Sequence, residues 1–572
     1  MPEMSQRTVD TVERWLNDPY VDEETKQELR ALENDAKELE ERFYRDLEFG
    51  TGGLRGIIGA GSNRINKYTV GRATQGFARY ILETHGNAEG KPSVVIAHDS
   101  RHFSPEFALE AALVLAGNGI TAKLFPSLRS TPQLSFSVRH LNATGGIVIT
   151  ASHNPPEYNG YKVYNAEGGQ LVPHEAEQVI SHIQEVDSFA AVKRLSQEQA
   201  EAEGLLVWLG EAEDQAFIDT VASVSVNRDL IASKLGEDIK IVYTPLHGTG
   251  NVPVRQVLEH IGFKNVYIVP EQEKPDAEFS TVKSPNPEER EAFTLAIKLG
   301  EEVGADILIG TDPDADRMGA VVKNSQGEYV VLSGNQSGAI MVHYLLSQLK
   351  EAGKMPDNAA VVKTIVTSEM GATIAEHYGA TVMNTLTGFK YIGEKMTQFE
   401  KTGQYTYLFG YEESYGYLAG NYARDKDAVL ASMLICEAAA YYKGQGKTLY
   451  DVLQELYEQF GYFMESLESR TLKGKDGIAQ IQGIMSNWRS APPAEIGNIA
   501  VERVLDYAEG LDGLPKENVL KYMLADGSWF CLRPSGTEPK IKVYFAVRGQ
   551  SLEDAQQKMQ TLSSHVMTRV DA

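Results

Sequence analysis

The sequence predicts an α/β protein with largely parallel sheets, built as three successive α/β units followed by a smaller final domain. Two observations predict this. The first is length: 572 residues exceed what one hydrophobic core organises, since cores stop growing near ~250–300 residues. The second is alternation: short apolar, β-branched runs recur with stretches of helical period and length between them, the pattern of βα units. The strand-like runs are 93–97, 146–150, 239–243, 265–269 and 306–309, and residues 105–117 have helical character directly after the first. Residues 1 to about 45, rich in Glu, Lys, Arg and Leu, read as exposed helices flanking the first domain. Composition shifts place soft boundaries at the polar stretch 188–204, the hairpin-like turn 323–328 and the Pro492-Pro493 segment 490–497. The expected division is therefore 1–205, 206–324, 325–489 and 490–572, with no short-period repeat.

Composition narrows the function class. Lys plus Arg total 54 and Asp plus Glu 79, a net charge of −25. That balance argues against a general binder of nucleic acid or anionic membranes. It also requires any phosphate-bearing ligand to find a local nest of cations or amides. Cys436 and Cys531 are the only cysteines, too few for a disulfide framework or a cysteine-based zinc site, which suits a reducing, cytoplasmic setting. The first five residues lack a signal peptide's basic and apolar regions. The most apolar stretch, 428–442, contains Ser432 and Glu437 and reads as a buried helix rather than a membrane span.

Four loops carry chemistry. Thr150-Ala151-Ser152-His153-Asn154-Pro155-Pro156 follows a strand, and its prolines stop regular structure. Ser152 is thus at a strand's carboxyl end, where α/β sheets place ligands. It is either a nucleophile or a loop hydroxyl satisfying amides. Lys162 returns a cation to the same loop. Thr311-Asp312-Pro313-Asp314-Ala315-Asp316-Arg317 follows another strand. Carboxylates at i, i+2 and i+4 repel unless a cation lies among them, and oxygen ligands select a hard ion, Mg²⁺ before Mn²⁺ or Ca²⁺. An EF-hand is excluded, because its Gly and Glu positions hold Arg317 and Lys323. Tyr411-Glu412-Glu413-Ser414-Tyr415-Gly416-Tyr417 ends an apolar strand with acceptors suited to a polyol; a helix N-terminus with acidic capping is the alternative. Arg533-Pro534-Ser535-Gly536-Thr537-Glu538-Pro539-Lys540 groups a guanidinium, hydroxyls and glycine amides as a phosphate nest would. Two loops are less specific. Residues 49–56, with Arg55, are glycine-rich but match neither GxGxxG nor a Walker A motif. Thr385-Leu386-Thr387-Gly388-Phe389-Lys390 is a Thr/Gly loop with a cation.

In this order and together, the loops resemble those of the α-D-phosphohexomutase (phosphoglucomutase/phosphomannomutase) family, in its long bacterial branch, from about Phe43 to about Arg548. The resemblance implies three related mixed-sheet α/β domains and an α+β domain around a central cleft. It implies a phosphoserine at Ser152, with Mg²⁺ held by Asp312, Asp314, Asp316 and the phosphate on Ser152. Arg55, Lys162 and His153 fall in the catalytic set, with Lys162 a candidate general acid/base. Arg317 falls near the transferring phosphate, Gly388 and Lys390 in a sugar-specificity loop, and Glu412 and Ser414 at the sugar hydroxyls. Arg533, Ser535, Gly536 and Thr537 match the grip on the non-reacting phosphate. The implied reaction converts glucose 1-phosphate to glucose 6-phosphate, with glucose 1,6-bisphosphate as intermediate and activator. The implied partners are small sugar phosphates, with no nucleic acid and no membrane; nothing in the sequence speaks to oligomeric state. The sugar loop departs from that of dual-specific relatives, which resemble Gly-Glu-x-Ser-Gly-His. Gly416 takes the histidine's place here, which weighs against mannose and leaves a second proton-transfer group unassigned. Phosphopentomutase and phosphomannomutase activities remain alternatives within the family. More remote readings are a phosphatase with Asp312 as nucleophile, which leaves the Ser152 and Arg533 loops unexplained, and a non-catalytic sugar-phosphate binder.

Overall fold

The apolar runs become strands because their side chains are covered on both faces, as parallel strands require. A computed structural model describes residues 4–86, 89–472, 474, 476–536 and 538–572. The first sheet holds β1 (Gly53–Ile57), β2 (Ser93–His98), β3 (Thr121–Leu124), β4 (Gly145–Ile149), β5 (Tyr158–Tyr164) and β6 (Leu206–Trp208), in the order β1-β5-β4-β2-β3-β6. The second holds β7 (Ile241–Thr244), β8 (Val266–Ile268), β9 (Ile307–Thr311), β10 (Met318–Lys323) and β11 (Tyr329–Val331), in the order β11-β10-β9-β7-β8. The third holds β12 (Ala359–Thr364), β13 (Thr381–Thr385), β14 (Thr406–Glu412) and β15 (Gly416–Ala419), in the order β13-β12-β14-β15.

Set side by side, these sheets repeat one pattern. β3-β2-β4-β5, β8-β7-β9-β10 and β13-β12-β14-β15 share two parallel ladders followed by one antiparallel ladder. The duplicated architecture is therefore present, and in each copy an equivalent turn joins the last two strands. β2, β4, β9 and β12 are buried along their whole length.

The fourth sheet is antiparallel throughout: β16 (Tyr462–Thr471), β17 (Glu495–Ile496), β18 (Ile499–Asp506), β19 (Leu520–Leu524), β20 (Trp529–Pro534) and β21 (Lys540–Gly549), in the order β16-β21-β20-β19-β18-β17. Side chains alternate between its faces. Leu520, Tyr522, Phe530, Leu532, Val543 and Phe545 pack on the helices Gly477–Ser490 and Leu552–Val570. Trp529, Cys531, Tyr544 and Ala546 turn the other way, onto Ile365, Val366 and Leu386 of the third unit.

Pairing corrects the expected boundaries. β6 lies beyond the boundary at 205 yet hydrogen-bonds to β3. β11 lies beyond 324 yet pairs with β10. β16 lies before 490 yet forms a long ladder with β21, and 490–497 runs from the end of the helix Gly477–Ser490 through β17, inside that last unit. Polar composition marks where the chain meets solvent, whereas a domain ends where its sheet has no further strand to pair. The N-terminal helices Gln6–Asn17, Glu23–Ala31 and Ala36–Phe43 are also less exposed than expected, since Trp15, Leu29, Leu39 and Phe43 form a cluster with Tyr68.

Among the described residues no helix is long and apolar enough to cross a membrane. The helix Ala428–Lys443 is buried in the main core. Its Glu437 accepts from the Ser225 hydroxyl (2.6 Å), the amides of Val226 and Asn227 (2.9 Å each) and the Tyr344 hydroxyl (2.7 Å), which ties the entry of the second unit to the third. Glu437→Leu strands these donors at about 1–3 kcal/mol each. We expect a marked fall in melting temperature by calorimetry, and a much smaller one for Glu437→Gln, whose amide oxygen still accepts.

Candidate functional site

The three equivalent turns converge. Ser152 lies between β4 and β5, Asp312 to Asp316 between β9 and β10, and Glu413 to Tyr415 between β14 and β15. Each turn holds one non-glycine residue in the left-handed region: Ser152 (φ 51°), Ala315 (φ 55°) and Tyr415 (φ 68°). Such residues cost about 1–3 kcal/mol and persist where surrounding contacts over-determine them. Those contacts are visible. Thr131 donates its amide (2.9 Å) and its hydroxyl (2.7 Å) to Asp314. Met318 N–H bonds Tyr415 O at 3.1 Å, and Ala428 N–H bonds Ala315 O at 3.0 Å.

Ser152 is held from behind by Arg101, which sequence reasoning missed. The Arg101 side chain is fully buried and donates to the carbonyls of Ser152 (2.7 Å), Asn154 (2.6 Å), Pro155 (2.8 Å) and Tyr158 (3.1 Å). Its own anchor is Asp99, 3.4 Å away, which also accepts from the Thr150 hydroxyl at 2.6 Å. The available signal was Asp99-Ser100-Arg101 directly after the 93–97 strand, a charged triplet at a strand's carboxyl end. In front, Ser152 Oγ is 3.2 Å from Lys162 Nζ and 3.4 Å from Asp314 Oδ2. Burial opposes the charge on Lys162, but Asp314 and Asp316 raise its pKa above the usual lysine range.

Asp312, Asp314 and Asp316 are buried with ligand oxygens within 4.8 Å of one another. Burial, with Asp314 and Asp316 alongside, pushes the Asp312 carboxyl well above its ordinary pKa. Burial acts the same way on Asp316, but Lys426, Lys162 and Arg317 together hold it well below. One oxygen of each carboxylate, Asp312 Oδ2, Asp314 Oδ1 and Asp316 Oδ1, has no hydrogen-bond partner among the described residues. Three buried carboxylates with oxygens this close, each keeping one oxygen unpaired, fit a hard divalent cation, and the triad can hold a metal. Lys426, 3.5 Å from Asp316, is a second residue that sequence reasoning missed; the charged run Asp425-Lys426-Asp427 ahead of an apolar helix was its signal.

His153 Nδ1 is 3.3 Å from Arg317 Nη1, and Arg317 is 3.3 Å from Glu288. Burial, reinforced by the charge of Arg317, pushes the imidazole down to about 3, so His153 is neutral and accepts from the guanidinium. Gly388 N–H donates to Glu412 Oε1 at 3.0 Å, which joins the two expected sugar loops. Lys390 reaches across to Thr51 O at 3.1 Å. The 411–417 segment is a β-hairpin turn, and the alternative of an acidic helix N-terminus falls.

These parts line one cleft of about 750 Å³ to which all four units contribute. Ser152, His153, Arg55, Lys162, Asp316 and Arg317 line it on one side, with Gly388, Lys390, Glu412, Ser414 and Arg533. Lys542 and Tyr544 join Arg533 from the neighbouring strand. Asp312 and Asp314 do not line the cleft, so Asp312 has no open approach as a nucleophile and the phosphatase reading loses its central group. Ser535 and Gly536 are exposed outside the cleft lining, and Thr537 lies outside the described residues.

Models of the four domains of the phosphoglucomutase/phosphomannomutase family match residues 46–190, 215–327, 333–460 and 470–561. The chain belongs to this family. A phosphoglucomutase of Staphylococcus haemolyticus is 38% identical over 530 residues, covering 91% of this chain and 93% of the relative. One of Staphylococcus aureus is 37% identical over 537 residues, covering 92% and 94%. Among solved structures, the open form of the Paramecium exocytosis-sensitive phosphoprotein parafusin, a phosphoglucomutase, superposes with TM-score 0.69 at 18% identity, covering 92% and 95%. A family protein from Burkholderia thailandensis gives 0.65 at 16% identity, covering 91% and 97%. The chain is accordingly an enzyme, a hexose phosphate mutase of the intramolecular phosphotransferase class, with the four-domain fold expected from its sequence.

Asp312→Asn removes one like charge while keeping the oxygen that accepts from the Asp316 and Arg317 amides, 3.1 Å each. In EDTA we expect this variant to melt above the unsubstituted protein. Titration with Mn²⁺ followed by electron paramagnetic resonance should show one tightly held ion in the unsubstituted protein and none in the variant.

Proposed function

We propose that the chain interconverts glucose 1-phosphate and glucose 6-phosphate through a phosphoserine at Ser152 and a glucose 1,6-bisphosphate intermediate, with Mg²⁺ as its metal. The observation that carries this reading is Ser152 Oγ, set against the Lys162 Nζ–Asp314 Oδ2 pair (3.2 and 3.4 Å), in a cleft whose fourth unit presents Arg533 and Lys542. One cleft thus offers a place to transfer a phosphoryl group and a separate place to hold one.

Asp312, Asp314 and Asp316 would hold the metal, with an oxygen of the Ser152 phosphate. Bound there, Mg²⁺ supplies neutralisation of the charge that spreads over the transferring phosphoryl oxygens. The protein's own groups do the rest. Arg317, oriented by neutral His153 and Glu288, faces the same region, and Arg55 adds a second guanidinium. Lys162, kept protonated by its two aspartates, is placed to give a proton to Ser152 Oγ as the phosphoryl group leaves for O6 of glucose 1-phosphate, whose hydroxyl proton passes to an oxygen of the transferring phosphoryl group. Lys162 takes its proton back when Ser152 recovers a phosphoryl group from O1, and O1 is protonated from that phosphoryl group as it leaves. Arg533, whose Nε lacks a hydrogen-bond partner among the described residues and has Glu517 3.9 Å away, holds the idle phosphate. That remote binding energy orients the reacting end. Between the stations the bisphosphate must turn over, so each station receives either end of the sugar.

Glucose is favoured over mannose on two grounds. The staphylococcal relatives carry the name phosphoglucomutase. In addition, Gly416 lies against Lys426, so that a Cβ there would come within 2.0 Å of Lys426 Cδ. A histidine at 416 and Lys426 in its present place exclude each other.

Side-by-side turnover of glucose, mannose and ribose 1-phosphates tests the reading; glucose should have the highest kcat/KM, and a mannose or ribose preference rejects it. Ser152→Ala should abolish turnover with folding intact and lose acid-stable label transferred from glucose 1,6-bisphosphate. Asp316→Asn should chiefly lower kcat and increase dependence on added Mg²⁺. Arg533→Ala should instead raise KM about ten- to a hundredfold, the loss of one charge-assisted hydrogen bond.

A further inference from the structure

The sheet face that carries Arg533 into the cleft carries another cation elsewhere. Lys521 is opposite Cys531, Cys531 opposite Tyr544, and Arg533 opposite Lys542. Strand alternation therefore sets Lys521, Arg533, Lys542 and Tyr544 on one face. The last three line the cleft. Lys521 is buried instead, 3% exposed. Its ammonium lies over the Trp529 ring at 4.2 Å and donates to Ile365 O at 2.7 Å, with Glu369 3.9 Å away.

Ile365 belongs to the 364–368 turn after β12, in the third unit. On the far side of that turn the Thr364 and Thr367 hydroxyls, 2.8 Å apart, each reach Glu413 Oε2 at 3.3 Å. Glu413 separates Glu412 from Ser414 in the sugar loop. Lys363 Nζ braces the turn from within, donating to the carbonyls of Thr364 and Thr367 at 3.3 Å each. One short turn thus touches the sugar loop on one side and the phosphate-gripping sheet on the other.

The surroundings of Lys521 do not call for a lysine on grounds of packing. Ile365, Trp529, Cys531 and Tyr544 form an apolar cluster there, and an aliphatic chain fills such space without the cost of burying an ammonium. What lysine adds is polar contact between two units, a directional bond to Ile365 O with the Glu369 carboxylate 3.9 Å away. We infer that Lys521 is a positioning residue for the mutase reaction: it docks the fourth sheet on the 364–368 turn and, through Thr364, Thr367 and Glu413, holds Arg533 in register with the sugar loop. The inference rests on the phosphate-holding role proposed for Arg533.

Lys521→Met in the full-length protein tests it. The kcat/KM for glucose 1-phosphate should fall by about tenfold or more, the scale expected when a remote grip no longer aligns the reacting end. Loss of the Ser152 phosphoryl group to water uses no sugar and no grip by the fourth unit, so its rate should stay within about twofold. Small-angle X-ray scattering of the ligand-free variant should give a larger radius of gyration than the unsubstituted protein. An unchanged kcat/KM overturns the inference, as does an equal loss in both reactions, which signals general damage. Should Lys521→Met fail to fold, the isosteric pair Thr364→Val/Thr367→Val cuts the same route from the other side and should separate the two rates in the same way. If the unsubstituted protein does not turn over glucose 1-phosphate, the reading under Proposed function fails, and scattering alone decides Lys521: an unchanged radius rejects it.

Discussion

The structure depends on the cost of burying three carboxylates in one short turn. Asp312, Asp314 and Asp316 are all but inaccessible to solvent, and isolated charges in such a place are not tolerated. Every neighbouring unit contributes to their neutralisation. Thr131 and Lys162 come from the first, Arg317 from the turn itself, and Lys426 from the third. The acidic turn is therefore where three otherwise separate α/β units must meet. Because the units repeat one topology, the turns that meet there are equivalent turns. The shared topology gives three similar strand ends, and each carries different side chains: Ser152 in the first, the three aspartates in the second, Glu413 and Ser414 in the third.

That arrangement answers the problem posed by the net charge of −25. A uniformly acidic surface repels sugar phosphates. The cleft instead gathers Arg55, Lys162, Arg317, Lys390, Lys426, Arg533 and Lys542 against six carboxylates, so its lining is far less acidic than the molecule as a whole. Some of these cations are already engaged: Lys162 and Lys426 face Asp316, Arg317 faces His153 and Glu288, and Arg533 has Glu517 3.9 Å away and Tyr544 beside it.

The fourth unit follows a different logic. Its sheet buries one face in its own helices and rests the other on the third unit. A sheet used in this way sets the position of everything on its second face at once, so a small shift at Lys521 or Trp529 moves Arg533 as well. Sequence reading found the Arg533 loop by its composition. It did not find that the unit begins at β16, because strand pairing over so long a separation leaves no local mark.

Much of this protein was legible in the chain itself. Apolar runs marked the strands, and loops rich in Asp, Ser, Gly and Arg marked the strand ends. Three carboxylates at alternate positions already implied a cation, because like charges at that spacing need one. These are local properties, set by burial periodicity and short-range electrostatics. Only the tertiary structure decided which distant groups share a site. Arg101 behind Ser152, Lys426 beside Asp316 and Lys521 under Ile365 are ordinary charged residues in sequence. They acquire their roles because a buried charge or carbonyl must be satisfied by whatever the fold brings within about 3 Å, and that partner is chosen in space rather than along the chain.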